Sequence, residues 1–157
     1  MEQFNRVKRY HIRIQNIYSG AYQTEWSDRI SREDDVVTFF IHCFHLRDWI
    51  IHLNRVGVTA KEVDNFINKH LELKICADFA NGSKHCTLTR TTRTKLRQPH
   101  IVTFEHKSLL GLSEDSFKSK FQILSGRNVY DVLTLATQCV DLWEKFIKEI
   151  EKKPIKT

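Results

Sequence analysis

Apolar residues recur along this chain first at helical spacing, then in alternation, then at helical spacing again, and that order predicts its architecture. Phe4, Val7, Ile14 and Ile17 share one face of a first helix from about Gln3 to Tyr18, and Gly20 stands after it as a stop. An irregular stretch with Trp26 follows. Ser31-Arg32-Glu33-Asp34 resembles a capping box with acids in the first turn, so it predicts the start of a second helix that ends at Gly57. From Val36 to Leu53 the apolar residues cover nearly the whole circumference, which makes this the central helix. Thr59-Ala60-Lys61-Glu62 is a T-x-x-E capping box; it opens a third helix ending near Asn81-Gly82, where glycine suits a left-handed cap. The short turn between the second and third helices predicts an antiparallel αα-hairpin.

After Gly82 the period becomes alternating. Thr87 to Thr94 is β-branched and polar, Gln98-Pro99 marks a turn, and Ile101-Val102-Thr103-Phe104 forms a hairpin partner. Lys120 to Leu124 predicts a third short strand. A last helix begins after Asn128, capped by Asp131, and stops at Pro154; its Val129, Leu133, Ala136, Val140, Trp143, Ile147 and Ile150 make an apolar seam. The fold class expected is therefore mainly α: an antiparallel bundle of about four helices with a small antiparallel β-hairpin or meander, at about 86–124, inserted before the last helix. Residues 1–153 are expected to form one domain and 154–157 a tail, which 157 residues with five Gly and two Pro accommodate without a linker.

The buried pattern is interrupted where it should be most apolar. On the second helix Thr38, His42, His45, Trp49 and His52 share a stripe, with Asp48 at its edge, at about 100° per residue. On the third, Ile67, Leu71, Lys74, Asp78 and Asn81 make a matching stripe, continued by Lys84 and His85. Burying ionisable groups is costly unless they pair or do chemistry. An antiparallel hairpin brings His45 and Asp48 towards Asp78 or Lys74, so His45, Asp78, Asn81, Lys84 and His85 form one candidate cluster. A carboxylate beside an imidazole orients a proton-transfer group, and it equally satisfies a buried polar contact that fixes helix register.

Charge adds a second candidate surface. Of the net charge of +6, +5 falls between Lys84 and Lys107, where six basic residues face the single acid Glu105. Lys84, Arg90, Arg93, Lys95 and Arg97 are thus candidate nucleic-acid contacts, since a concentrated basic patch is the footprint of a phosphate-bearing partner. The four cysteines, Cys43, Cys76, Cys86 and Cys139, show no CxxC pair and sit mostly at apolar helix positions. They read as reduced core thiols rather than disulfides or a metal site. No nucleophile elbow, GxGxxG or Walker sequence occurs, and no cofactor is implied. His or charge interrupts every apolar run short of a membrane span, and Met1-Glu2-Gln3-Phe4 does not begin a signal peptide, so a cytoplasmic protein is expected.

Arg47-Asp48-Trp49-Ile50-Ile51-His52 has the form R-x4-H with a polar residue after the arginine. It resembles the motif of the HEPN ribonuclease superfamily, and the segments HLRDW and ICADFANGSKH resemble those of small bacterial helical-bundle proteins near it. The resemblance implies metal-independent RNA cleavage in a bacterial stress or antiphage setting. His52 would move the proton at the ribose 2′-hydroxyl, Arg47 would stabilise the phosphate, and Asp48 would be the polar member. Along an ideal helix Arg47 lies about 140° round from His52. A homodimer, which the superfamily often uses to build a composite site, would supply the missing group, and an antitoxin or other partner protein is also implied. The competing expectation is a non-catalytic interaction module whose polar seam is structural and whose basic hairpin docks nucleic acid or an acidic protein.

Overall fold

A computed structural model describes residues 1–21, 29–53, 57–85, 91–108 and 117–152. The chain is mainly helical: α1 (Glu2–Ser19), α2 (Arg29–Leu53), α3 (Ala60–Lys69) and α4 (Leu71–Lys84) precede a sheet of β1 (His100–Ser108), β2 (Phe117–Ser125) and β3 (Asn128–Asp131), and α5 (Val132–Glu151) closes it. The expected bundle with a small antiparallel sheet before the last helix is the observed fold. Among the described residues there are five helices, not about four, because the third expected helix breaks in two.

α1 buries Phe4, Val7, Ile14 and Ile17 and ends at Gly20, whose left-handed backbone (φ 84) returns its N–H to Asn16 O. α2 is already helical at Arg29, so Ser31 and Glu33 lie inside the helix and not at its expected start. Its Arg32 and Asp35 are buried, and Asp35 takes an ion pair from Arg13 of α1 at 2.9 Å. The Thr59 capping box of α3 is present in both directions: Thr59 Oγ1 accepts from Glu62 N, and Glu62 Oε2 accepts from Thr59 N at 2.8 Å.

His70 divides α3 from α4. Its backbone is extended (φ −111, ψ 122), ending one helix and leading into the next. No Gly or Pro marks the place; the redirection lets Ile75 to Ala80, six successive residues, all be buried. Such a block needs neighbours on every side. Phe40 meets both Cys76 Sγ (3.6 Å to its carbonyl) and the Phe79 ring, while His45 meets Lys84 further along. The contacts advance in the same sense, so α4 runs with α2 instead of against it, and the antiparallel hairpin expected between the second helix and residues 59–82 does not extend to α4. Gly82 is helical and not a left-handed cap: α4 continues to Lys84, and a Cβ on Gly82 would overlap the Gln98 side chain.

β1 pairs antiparallel with β2, with a register shift between Ile101 and Thr103, and β2 pairs with β3 across a tight turn at Gly126 (φ 65). Residues 86–90, including Thr87–Arg90 of the expected first strand, lie outside the described residues. Thr91–Arg97 is a turn with Lys95 at φ 60, and Ile101 to Phe104 pair with β2 instead. Tyr18 fastens the sheet to α1. Its hydroxyl lies 2.9 Å from Phe121 O and 3.1 Å from Asp131 Oδ2, and accepts from Phe121 N. Asp131 caps α5 by accepting from Thr134 N, as expected. Of the expected seam, Ala136, Val140, Trp143, Ile147 and Ile150 are buried, while Val129 is 52% exposed on β3. Buried side chains from Phe4 to Ile150 make one core cluster. Among the described residues no helix is long and apolar enough to cross a membrane.

Candidate nucleic-acid interface

Arg47 is half-buried and engaged by carboxylates of its own fold. Its Nε and Nη2 hold both oxygens of Asp64 on α3, at 2.8 and 2.6 Å, and its Nη1 holds Asp48 at 2.8 Å. Arg93 completes the network, donating to Asp64 at 2.8 Å and to Asn68 at 2.9 Å, with its guanidinium 5.8 Å from the Phe44 ring centre. The hydrogen bonds from Arg47, which outweigh burial, and those from Arg93 hold the Asp64 carboxyl down at about 2; the same contacts raise Arg47. Two cations on one carboxylate form a brace from α2 through α3 to the 91–97 turn. His52 is exposed in the last turn of α2, and no hydrogen bond among those described joins it to Arg47.

The second expected cluster separates into two. Asp78, 2% exposed, accepts from Arg93 N (2.6 Å), Thr94 N (2.8 Å) and Thr94 Oγ1 (2.7 Å). This carboxylate organises the turn, and its acceptor capacity faces inward. His45 instead meets Lys84 at 2.6 Å between Nε2 and Nζ. Asn81 is half-buried, and His85 is exposed as the cap residue after α4. His45 and Asp78 are therefore members of different contacts, because α4 runs with α2 and not against it.

Around His45 a cationic face assembles from three helices. The His42 and His45 rings stand 6.5 Å apart, and Tyr10 of α1 lies 5.2 Å from His42. Gln3, buried at 1% exposure, donates to His42 O at 2.9 Å and so fixes α1 against α2 there. Burial first, then Arg6, His45 and Arg9, pull the His42 pKa down; burial and then Lys84 do the same to His45, against the opposing pull of Asp48. At neutral pH His45 is thus the acceptor of the Lys84 ammonium, with its proton on Nδ1. The acids within reach are Glu2, which pairs with Arg6 at 3.3 Å, and Asp48, already shared with Arg47.

Of the five expected nucleic-acid contacts, Lys84 belongs to this face, and Lys95 and Arg97 are exposed on the 91–97 turn. Arg93 is consumed by Asp64 and Asn68, and Arg90 lies outside the described residues. Arg6 and Arg9 were not anticipated from the sequence, and His42 stood there only as a member of the polar stripe of the second helix. The signal of Arg6 and Arg9 is their basic i, i+3 spacing on α1. Asp64 was also missed, since nothing in its local pattern distinguishes it from any exposed helix acid. Cys43, Cys76 and Cys139 are buried at the apolar helix positions expected of them, and their sulfurs converge on one point. Comparison with family models, curated proteins and solved structures gives no match.

Proposed function

We propose that this protein binds the phosphate backbone of single-stranded RNA through Arg6, Arg9, His42, His45 and Lys84, and that its Arg47–Asp64–Arg93 network is structural. One observation supports the reading above all: Lys84 Nζ lies 2.6 Å from His45 Nε2 and the His42 ring stands 6.5 Å from that of His45, so basic groups of three helices are gathered on one face. Like charges gathered on a fold cost stability, and an anion arriving between them removes the cost. The choice of RNA rests on the resemblance to HEPN proteins; the electrostatics call only for phosphates.

Fluorescence anisotropy with a labelled single-stranded RNA tests this. Affinity should fall steeply with salt, and Arg9→Gln with Lys84→Gln should lower it by roughly tenfold and flatten the slope by about 1–2. Acidification from pH 7.5 to 6 should tighten binding, because bound phosphate raises the depressed histidines and protons are taken up. Equal binding by parent and double variant would remove the reading.

Cleavage of the bound RNA is a second reading, favoured by the neutral His45 beside Lys84. A general base and a cation at the phosphate suffice for attack by the 2′-hydroxyl, which DNA lacks. Cutting in EDTA that stops in His45→Gln but persists in His52→Ala assigns the chemistry to this pair. The reverse result assigns it to His52.

A further inference from the structure

We propose that Cys43, Cys76 and Cys139 together form a closed three-sulfur site for a soft, thiophilic metal ion. One thiol comes from each of α2, α4 and α5, and the three Sγ atoms all lie within 4.8 Å of one another. Each residue is at most 1% exposed, and none is in a disulfide. A triangle with 4.8 Å sides has its centre about 2.8 Å from each corner. Metal–thiolate bonds of about 2.3 Å are reached if each sulfur moves inward by at most roughly 0.5 Å. Small side-chain rotations suffice.

The thiols are weakly committed elsewhere. Cys76 Sγ donates to Phe40 O and Cys139 Sγ to Glu72 O, each at 3.6 Å, and sulfur is a poor donor. A second observation points into the cluster. Trp143, 1% exposed, has an indole Nε1–H that is buried and has no acceptor, although it faces the Cys43 sulfur. Buried N–H groups are nearly always paired, and a thiolate, the form a metal requires, is a much stronger acceptor for this donor than a thiol.

The donor set also selects the ion. Among the described residues the group holds three sulfurs and neither imidazole nor carboxylate. Structural zinc takes four ligands, whereas thiolates alone in a closed, apolar setting suit softer ions content with three. Binding a divalent ion M²⁺ forms three M–S bonds, breaks three S–H bonds and releases three protons, leaving one negative charge facing the Trp143 N–H. The ion would tie three helices of the core together and stabilise the folded chain.

The test uses the full chain, reduced and refolded without oxygen in the presence of cadmium(II), with zinc(II) in parallel. One cadmium per chain, an ultraviolet sulfur-to-cadmium charge-transfer band and a raised Tm are expected, with zinc at least tenfold weaker. Cys43→Ala, Cys76→Ala and Cys139→Ala should each lose the band and the Tm rise. Trp143→Phe retains all three sulfurs and should weaken cadmium binding several-fold, a readout independent of whether the alanine variants fold. A parent that shows neither band nor Tm rise, a band that survives all three alanine variants, or zinc binding as tightly as cadmium overturns the proposal.

Discussion

Asp64 decides what Arg47 does. A bidentate carboxylate contact, reinforced by Asp48, leaves the guanidinium with a structural task on the surface where the sequence resemblance would have it hold phosphate. Arg47→Met should cost about 1–2 kcal/mol at pH 7, a figure discounted for the partial exposure of both partners. RNA affinity should stay within about twofold of the parent, since Arg47 is outside the cationic face. The pH dependence has a definite sign. Asp64 is held at about 2 in the folded chain, below its ordinary 3.8, so its contribution is full above that ordinary value and fades as pH falls towards 2. Urea melts at pH 7 and pH 2.5 should therefore show the gap between parent and Arg47→Met narrowing in acid.

Elements are joined here by single polar or small residues. Tyr18 links α1 to β2 and to the cap of α5, and burial, outweighing the hydrogen bonds from Phe121 and Leu133, pushes its hydroxyl up to about 12. Tyr18→Phe leaves the Phe121 N–H and carbonyl without this partner and should cost about 1–3 kcal/mol in denaturant melts. Gly82 links α4 to the segment before β1, where the Gln98 side chain lies against it. Gly82→Ala should destabilise by about 1–3 kcal/mol through overpacking. In a Gln98→Ala background the same change should become neutral or stabilising by up to about 1 kcal/mol, because alanine is the better helix former once the space is open. A double-mutant cycle measures that reversal; additive effects would show that Gln98 is not what requires glycine.

At the scale of the whole molecule, α2 is central, but only one side of its aromatic set is in the core. Phe40 is fully buried against Phe39 and Phe79, while Trp49 is 38% exposed. Phe40→Ala should cost about 3–5 kcal/mol and Trp49→Ala under about 1 kcal/mol, compared by urea midpoints at constant slope. Near neighbours in the chain were enough to specify the Thr59 and Asp131 caps, the Gly20 stop, the apolar faces of α1 and α5, and the change of period that announces the sheet. These follow from spacing and from hydrogen bonds that span three or four residues. Lys84 was legible as part of a cationic site for the same reason, since charge density along the chain is local. The break at His70, the direction of α4, the glycine at 82, the capture of Arg47 by Asp64 and the meeting of three cysteines from three helices depend on contacts between elements. Each of these joins residues at least 15 positions apart or answers to such a contact. The free energy that selects it comes from burial and pairing across elements, which no local pattern records.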